Sequence, residues 1–187
     1  MFTVFVLVLL TPLLHFAVQS ESRESVLQGE EGFLDLDESW HVNKSLRLDW
    51  KTYTWHTVRF WDCNGFMINA SNILLDLNGH TVMFKSMVGG AYNTGIEVIG
   101  KNNATVRNGT IIDFECGIYV EDSSEVNIDY NNISGVRPLV KGVGIHRSRY
   151  VNIGFNNVSA SKDVAVGVES SSFISIHDNT VSNTSRK

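Results

Sequence analysis

Two sets of residues recur in this 187-residue chain at intervals that would set them side by side. Met67, Glu97, Tyr119, His146 and Glu169 each follow a glycine by two positions. Carboxylates, a phenol and an imidazole are the side chains of acid–base catalysis and of sugar binding. If successive repeats stack about 4.8 Å apart, Glu97 and Glu169 lie about 14 Å from each other. That exceeds the roughly 5–9.5 Å of a glycosidase carboxylate pair, whereas Glu97 and Glu121 would approach about 8 Å. The second set is Asp76, Arg107, Asp129, Gly154 and His177, in which opposite charges alternate. It suits an Asp/Arg cleft acting on a polysaccharide. It suits equally a row of lateral ion pairs between strands, each worth under about 1 kcal/mol. For both sets an ordinary solvated sheet face is the competing reading.

The elements that would position these residues are short strands. Gly65, Gly95, Gly117, Gly144 and Gly167 each open an apolar strand, at steps of 30, 22, 27 and 23 residues. Second strands follow at Ile73–Leu77, Ala104–Arg107, Val126–Asp129, Val151–Ile153 and Ile174–His177. Third strands follow a turn bearing Asn78, Asn108, Asn131, Asn156 or Asp178. Three strands per repeat of twenty-odd residues predict an all-β chain, a right-handed parallel β-helix of about five to six coils over residues 63–187. Ile96/Val98, Ile118/Val120, Val126/Ile128 and Val151/Ile153 would stack inward, and the turn asparagines would form an amide ladder. Residues 85–93, with Tyr92, and 136–141 read as loops thrown out from the stack. Residues 40–62 hold all four tryptophans and are expected to cap the open N-terminal end.

The stretch Ile68-Asn69-Ala70-Ser71-Asn72-Ile73-Leu74-Leu75-Asp76-Leu77-Asn78-Gly79-His80-Thr81-Val82 resembles the opening repeat of NosD-type and carbohydrate-binding/sugar-hydrolase β-helix proteins, within the pectin-lyase-like superfamily. The resemblance covers about residues 60–185 and implies extracellular or periplasmic work on carbohydrate. Similarity to pectate lyases would point to Asp76, Asp129 and Arg107, and the NosD likeness to copper through Met67, Met83 and Met87. The polygalacturonase pattern is not met: Asn93-Thr94-Gly95 lacks the acid after Asn-Thr, and Gly79-His80-Thr81 lacks the second glycine.

Residues 2–18 are almost wholly apolar and precede a charged run at Glu21, so residues 1–20 read as a secretory signal peptide and 21–39 as a polar leader. An uncleaved anchor helix is the alternative; no later stretch is long enough to span a membrane. The formal charge of −5 and scattered Lys and Arg argue against nucleic acid as partner. Behind a signal peptide, the sequons at Asn43, Asn69, Asn103, Asn108, Asn132, Asn157 and Asn183 predict a glycoprotein. Cys63 and Cys116 fall two coils apart, about 9.6 Å by strand spacing. That is beyond disulfide reach, so two free thiols are expected. No histidine spacing suits a metal, and no cofactor is expected. The leading expectation is a secreted or surface module that binds polysaccharide or presents loops, with Glu97, Tyr119, His146, Glu169 and Tyr92 as its ligand-binding residues. A lyase or hydrolase using Glu97, Glu121, Asp76, Arg107 and Asp129 is the first alternative, and a structural or adhesive protein the second.

Overall fold

A computed structural model describes residues 34–36, 39–48, 52–57, 64–86, 93–135, 141–160 and 164–183, all within one compact unit, Phe33–Lys187. The signal segment, Cys63, Trp50, Trp61, Tyr92 and residues 136–140 lie outside them. Every described element is a strand, and every strand pairing is parallel. The chain passes through three sheets in turn. The first sheet holds Trp40–Val42, Phe66–Ile68, Thr94–Ile99, Cys116–Glu121, Lys141–His146 and Val164–Glu169. The second holds Leu46–Arg47, Ile73–Asp76, Asn102–Arg107, Ser124–Asp129, Arg149–Gly154 and Ser172–His177. The third holds Leu34–Leu36, Thr52–Thr57, Thr81–Ser86, Thr110–Ile112, Asn132–Ser134, Asn157–Ala160 and Thr180–Asn183. This is the expected parallel β-solenoid.

Alternation makes the core. Along Ser124–Asp129 the inward Val126 and Ile128 are buried while Asn127 and Asp129 look outward. Val126 pairs with Ala104 and Val151, and Ile128 with Val106 and Ile153, so aliphatic side chains stack coil over coil. Such branched residues suit a strand buried on one face. Each coil removes its apolar row from water only against its neighbours. The last described coil has a neighbour on one side alone, and Val168, Ile176 and Val181 are exposed there.

The aromatic segment is built into the stack. Residues 40–57 give one strand to each sheet, forming the first coil itself, with Trp40, Tyr53 and Phe66 rings 5.5–6.1 Å apart. Leu34–Leu36, expected in a loose leader, pairs with Tyr53–Trp55.

The register corrects two columns. Ile118 pairs with Val143 and Tyr119 with Gly144, which sets Gly142 beside Gly117, and Gly144 pairs with Gly167. The glycine column is therefore Gly65, Gly95, Gly117 and Gly142, followed by Ala165. Close approach demands it: a Cβ on Gly65 would lie 2.2 Å from the Gly95 carbonyl oxygen, and one on Gly95 2.6 Å from that of Gly117. Both Gly142-Val143-Gly144 and Ala165-Val166-Gly167 repeat a small residue two places on. A slip of two leaves the same side chains outward, so the face survives and only the columns move.

Candidate functional site

The slip divides the first expected set. Glu97 pairs with Met67 and Tyr119, and Tyr119 with Gly144. Glu121, His146 and Glu169 form a separate column two residues further along the strands. Glu97 accepts a hydrogen bond from the Asn64 amide at 3.2 Å. His146 Nδ1 lies 2.9 Å from Glu121 Oε1, and Arg147 reaches Glu121 and Asp122 at 2.7 Å each. The Arg147 guanidinium holds the Asp122 carboxyl below its ordinary value, and the two carboxylates in turn raise Arg147. Burial, then the nearby Glu121 charge, pushes Tyr119 up. These groups satisfy one another on an ion-paired sheet face.

The second set is aligned as expected, Asp76, Arg107, Asp129, Gly154 and His177 following in order, and the register adds Arg47 before Asp76. Asp76 is buried, which alone would raise it. Hydrogen bonds from the Asn78 backbone N–H, the Asn108 amide and the Arg107 guanidinium at 3.0 Å reverse the sign and hold it low. Asp129 is shifted the other way by burial, against the pull of His177 and Arg107. Gly154, lacking a Cβ, lets His177 and Asp129 close over it; a Cβ there would meet the His177 ring at 2.6 Å and Asp129 Oδ1 at 3.3 Å. Asn152 bridges the two, its Oδ1 2.9 Å from His177 Nε2 and its Nδ2 donating to Asp129 Oδ1 at 3.5 Å.

The corners hold what residue-by-residue reading missed. Where the second sheet hands over to the third, Asn78, Asn108, Tyr130, Phe155 and Asp178 all have φ between 51° and 61°. Just inside the second sheet, Asn72, Asn103, Glu125, Tyr150 and Phe173 have φ between 54° and 61°. Asn and Asp tolerate this left-handed backbone, while bulky rings are outliers there. Yet Tyr130 stacks on Phe155 with centroids 4.9 Å apart, and Tyr150 on Phe173 at 4.8 Å. All four rings are exposed, Phe173 by 70%. Tyr150 and Phe155 stand at opposite ends of Arg149–Gly154, about 16 Å apart at 3.3 Å per residue. Between the two ring stacks lie Asn127, Asn152 and Ser175, with Asp129 and His177. The edge of the His177 ring meets Phe155 at 5.5 Å. The sequence signal was a spacing of 25 between Tyr130 and Phe155 and of 23 between Tyr150 and Phe173, each a coil length.

A groove of about 460 Å³ opens beside the first stack, lined by Tyr130 and Phe155 with Asn108, Thr110, Asn132 and Asn157. Beneath it the ladder asparagines are Asn131 and Asn156, as expected, with Asn179 in place of Asp178, while Asn78 and Asn108 bond elsewhere. Each accepts from the backbone N–H of the coil before it and donates to a carbonyl there: Asn156 Oδ1 serves Asn131 N at 2.8 Å, and its Nδ2 reaches Ile128 O at 2.7 Å.

Among the described residues no group of three or more His, Cys, Asp or Glu side chains could hold a metal ion. Cys116 is a half-buried thiol, pushed up to about 12 by burial. No described helix is long and apolar enough to cross a membrane.

A family model described as the right-handed β-helix region matches residues 52–187, well over half of the chain, and supplies the handedness of the coil. No curated protein and no solved structure matches.

Proposed function

The chain belongs to the right-handed β-helix family, and from that premise we propose that it is a secreted or cell-surface module that binds polysaccharide along its second sheet. The observation that carries this reading is the pair of exposed ring stacks in left-handed backbone. A bulky residue there costs roughly 1–2 kcal/mol relative to one in an ordinary conformation. The same corners are made without that cost by Asn72, Asn78, Asn103 and Asn108. Rings that structure does not require are explained by what they present. Sugars lay their C–H faces on aromatic surfaces and their hydroxyls on amides and carboxylates, the chemistry arrayed between Tyr150 and Phe155. The apolar segment at 2–18 and the sequons support export.

The test is a polysaccharide array followed by calorimetry on the best binder, with protein that carries no N-linked glycan. Exchanging Tyr130 and Phe155 to Asn, or Tyr150 to Asn with Phe173 to Asp, puts backbone-compatible residues at the corners. Each pair should weaken binding at least about tenfold with the coil still folded, since each lost platform is worth on the order of 1–3 kcal/mol. Unchanged affinity in both would end the reading. A second reading, cleavage of the bound chain with Asp129 as proton donor, is favoured by its raised carboxyl on the face between the ring stacks, with His177 beside it over Gly154. Release of reducing ends by the wild type and not by Asp129→Asn would establish it.

A further inference from the structure

Three sequon asparagines, Asn108, Asn132 and Asn157, line the groove beside Tyr130 and Phe155. They are not equivalent. Asn108 is half-buried and its Nδ2 donates to Asp76 Oδ1 at 3.2 Å. Asn132 and Asn157 are exposed, face each other in register on adjacent strands, and join through Asn157 Nδ2 and Asn132 Oδ1 at 3.2 Å. Each has an aromatic residue two places before it: Tyr130-Asn131-Asn132 and Phe155-Asn156-Asn157. The intervening asparagine points inward as a ladder rung, which turns ring and sequon amide toward the same groove. The rings are stacked within 5° of parallel, a ready-made apolar wall.

We propose that the groove seats the protein's own N-linked glycan, a single one, carried on either Asn157 or Asn132 and packed by its first N-acetylglucosamine against Tyr130 and Phe155. Attachment is by a host oligosaccharyltransferase on the unfolded chain. The asparagine Nδ2 bonds to C1 of the sugar, and the C1–O bond to a polyprenyl diphosphate breaks. The diphosphate leaves with the bonding pair, and Nδ2 loses one proton to base. Folding then brings the two sites to the strand spacing of about 4.8 Å. Two branched glycans at that distance compete for one groove, so chains that close the coil carry one. A glycan on Asn108 would break its bond to Asp76, so chains that close the coil carry none there. Because the seat uses rings assigned above to polysaccharide, the glycan would also mask that platform; this last step rests on the polysaccharide reading, and the seat does not.

The experiment uses the full chain secreted from a eukaryotic host. Glycopeptide mass spectrometry should find one glycan shared between Asn132 and Asn157, moving to Asn132 in Asn157→Gln. An endoglycosidase that cuts the glycan core should release it from the native protein several-fold faster once Tyr130 and Phe155 are exchanged to Asn, and equally fast from both after denaturation. Should that pair unfold the coil, Phe155→Leu removes the ring face while keeping apolar bulk, and should show the same acceleration. Both sites filled in one molecule, both empty, or equal native release rates with and without the rings would overturn the proposal. Stripping the glycan should tighten polysaccharide binding several-fold. Stripped protein that binds no polysaccharide, with glycan protection by the rings intact, would leave the seat standing and remove the polysaccharide reading.

Discussion

The early and late coils build the corner between the second and third sheets with opposite residue orders. In the early coil that closes at Asn108-Gly109, asparagine is outside and glycine inside. In the late coils a ring is outside and asparagine inside, as Tyr130-Asn131 and Phe155-Asn156. The backbone demand is the same, a left-handed residue followed by carbonyls and N–H groups in need of partners. Asn78 meets it from outside, its Nδ2 reaching Leu48 O at 2.9 Å. Asn131 meets it from inside, its Nδ2 reaching Val106 O at 3.1 Å. Moving the polar rung inward by one residue releases the outer place from structural duty. Only where that has happened do rings occupy it. Asp178-Asn179 shows that the inner rung does not itself require a ring.

Transplanting the late order into an early coil should have the largest effect. A Cβ on Gly109 would meet Leu77 side-chain atoms at 2.2–2.8 Å, so Leu77 already fills the room an inner asparagine needs. Gly109→Asn should lower stability by about 3 kcal/mol in urea melts, the upper range of overpacking. A near-neutral result would mean the two corner types are interchangeable and the contrast is accidental. Removing the late rung comes next. Asn156→Ala strips partners from Ile128 O, Gly154 O and Asn131 N. Buried groups left unpaired cost about 1–3 kcal/mol, so a loss of about 2 is expected, against about 1 for the part-exposed Asn108→Ala. Equal losses would erase the division between inner and outer rungs.

The fold was legible because its determinants are periodic and local. Glycine, the alternating strands and the recurring asparagine each report one coil, and the stack follows from their repetition. The columns were less legible at Gly142 and Ala165, because a small residue recurs two places later and both choices keep the same face outward. The asparagine ladder was legible at Asn131 and Asn156 and missed by one residue in the last coil, where Asn179 and not Asp178 is the rung. Asn78 reaches Leu48 O and Asn131 reaches Val106 O, which lie in different carbonyl rows, and composition cannot tell the two uses of one residue type apart. The ring stacks escaped because Tyr130, Tyr150, Phe155 and Phe173 sit where a bulky residue is conformationally unfavourable. Aromatic residues in a strand-rich chain suggest core, and only φ shows these to be corners. The ion-paired face of Glu121, His146 and Arg147 depends on the register slip.

The smallest expected effect contrasts two carboxylates of one column, Asp76 in an early coil and Asp129 in a late one. Asp76 is lowered, because its three hydrogen-bonding partners outweigh burial. Its stabilisation is complete above the unfolded value near pH 3.8 and is lost as pH falls through the lower folded value. Asp129 is raised by burial, so ionised Asp129 opposes folding at neutral pH. That opposition is relieved as pH falls through its raised folded value toward the unfolded one. Asp129→Asn, which keeps shape and an acceptor oxygen, should therefore raise the melting temperature slightly at pH 7. The gain should shrink to nothing below about pH 4, where the wild-type carboxyl is protonated in both states. Calorimetry of the two proteins across that range reads the difference directly. If Asp129→Asn instead destabilises at pH 7, Asp129 is ion-paired in the manner of Asp76. The Asp129 and His177 pair closed over Gly154 would then be an extension of the early column's salt-bridge row, and the late coils would lose their claim to a distinct polar face between the rings.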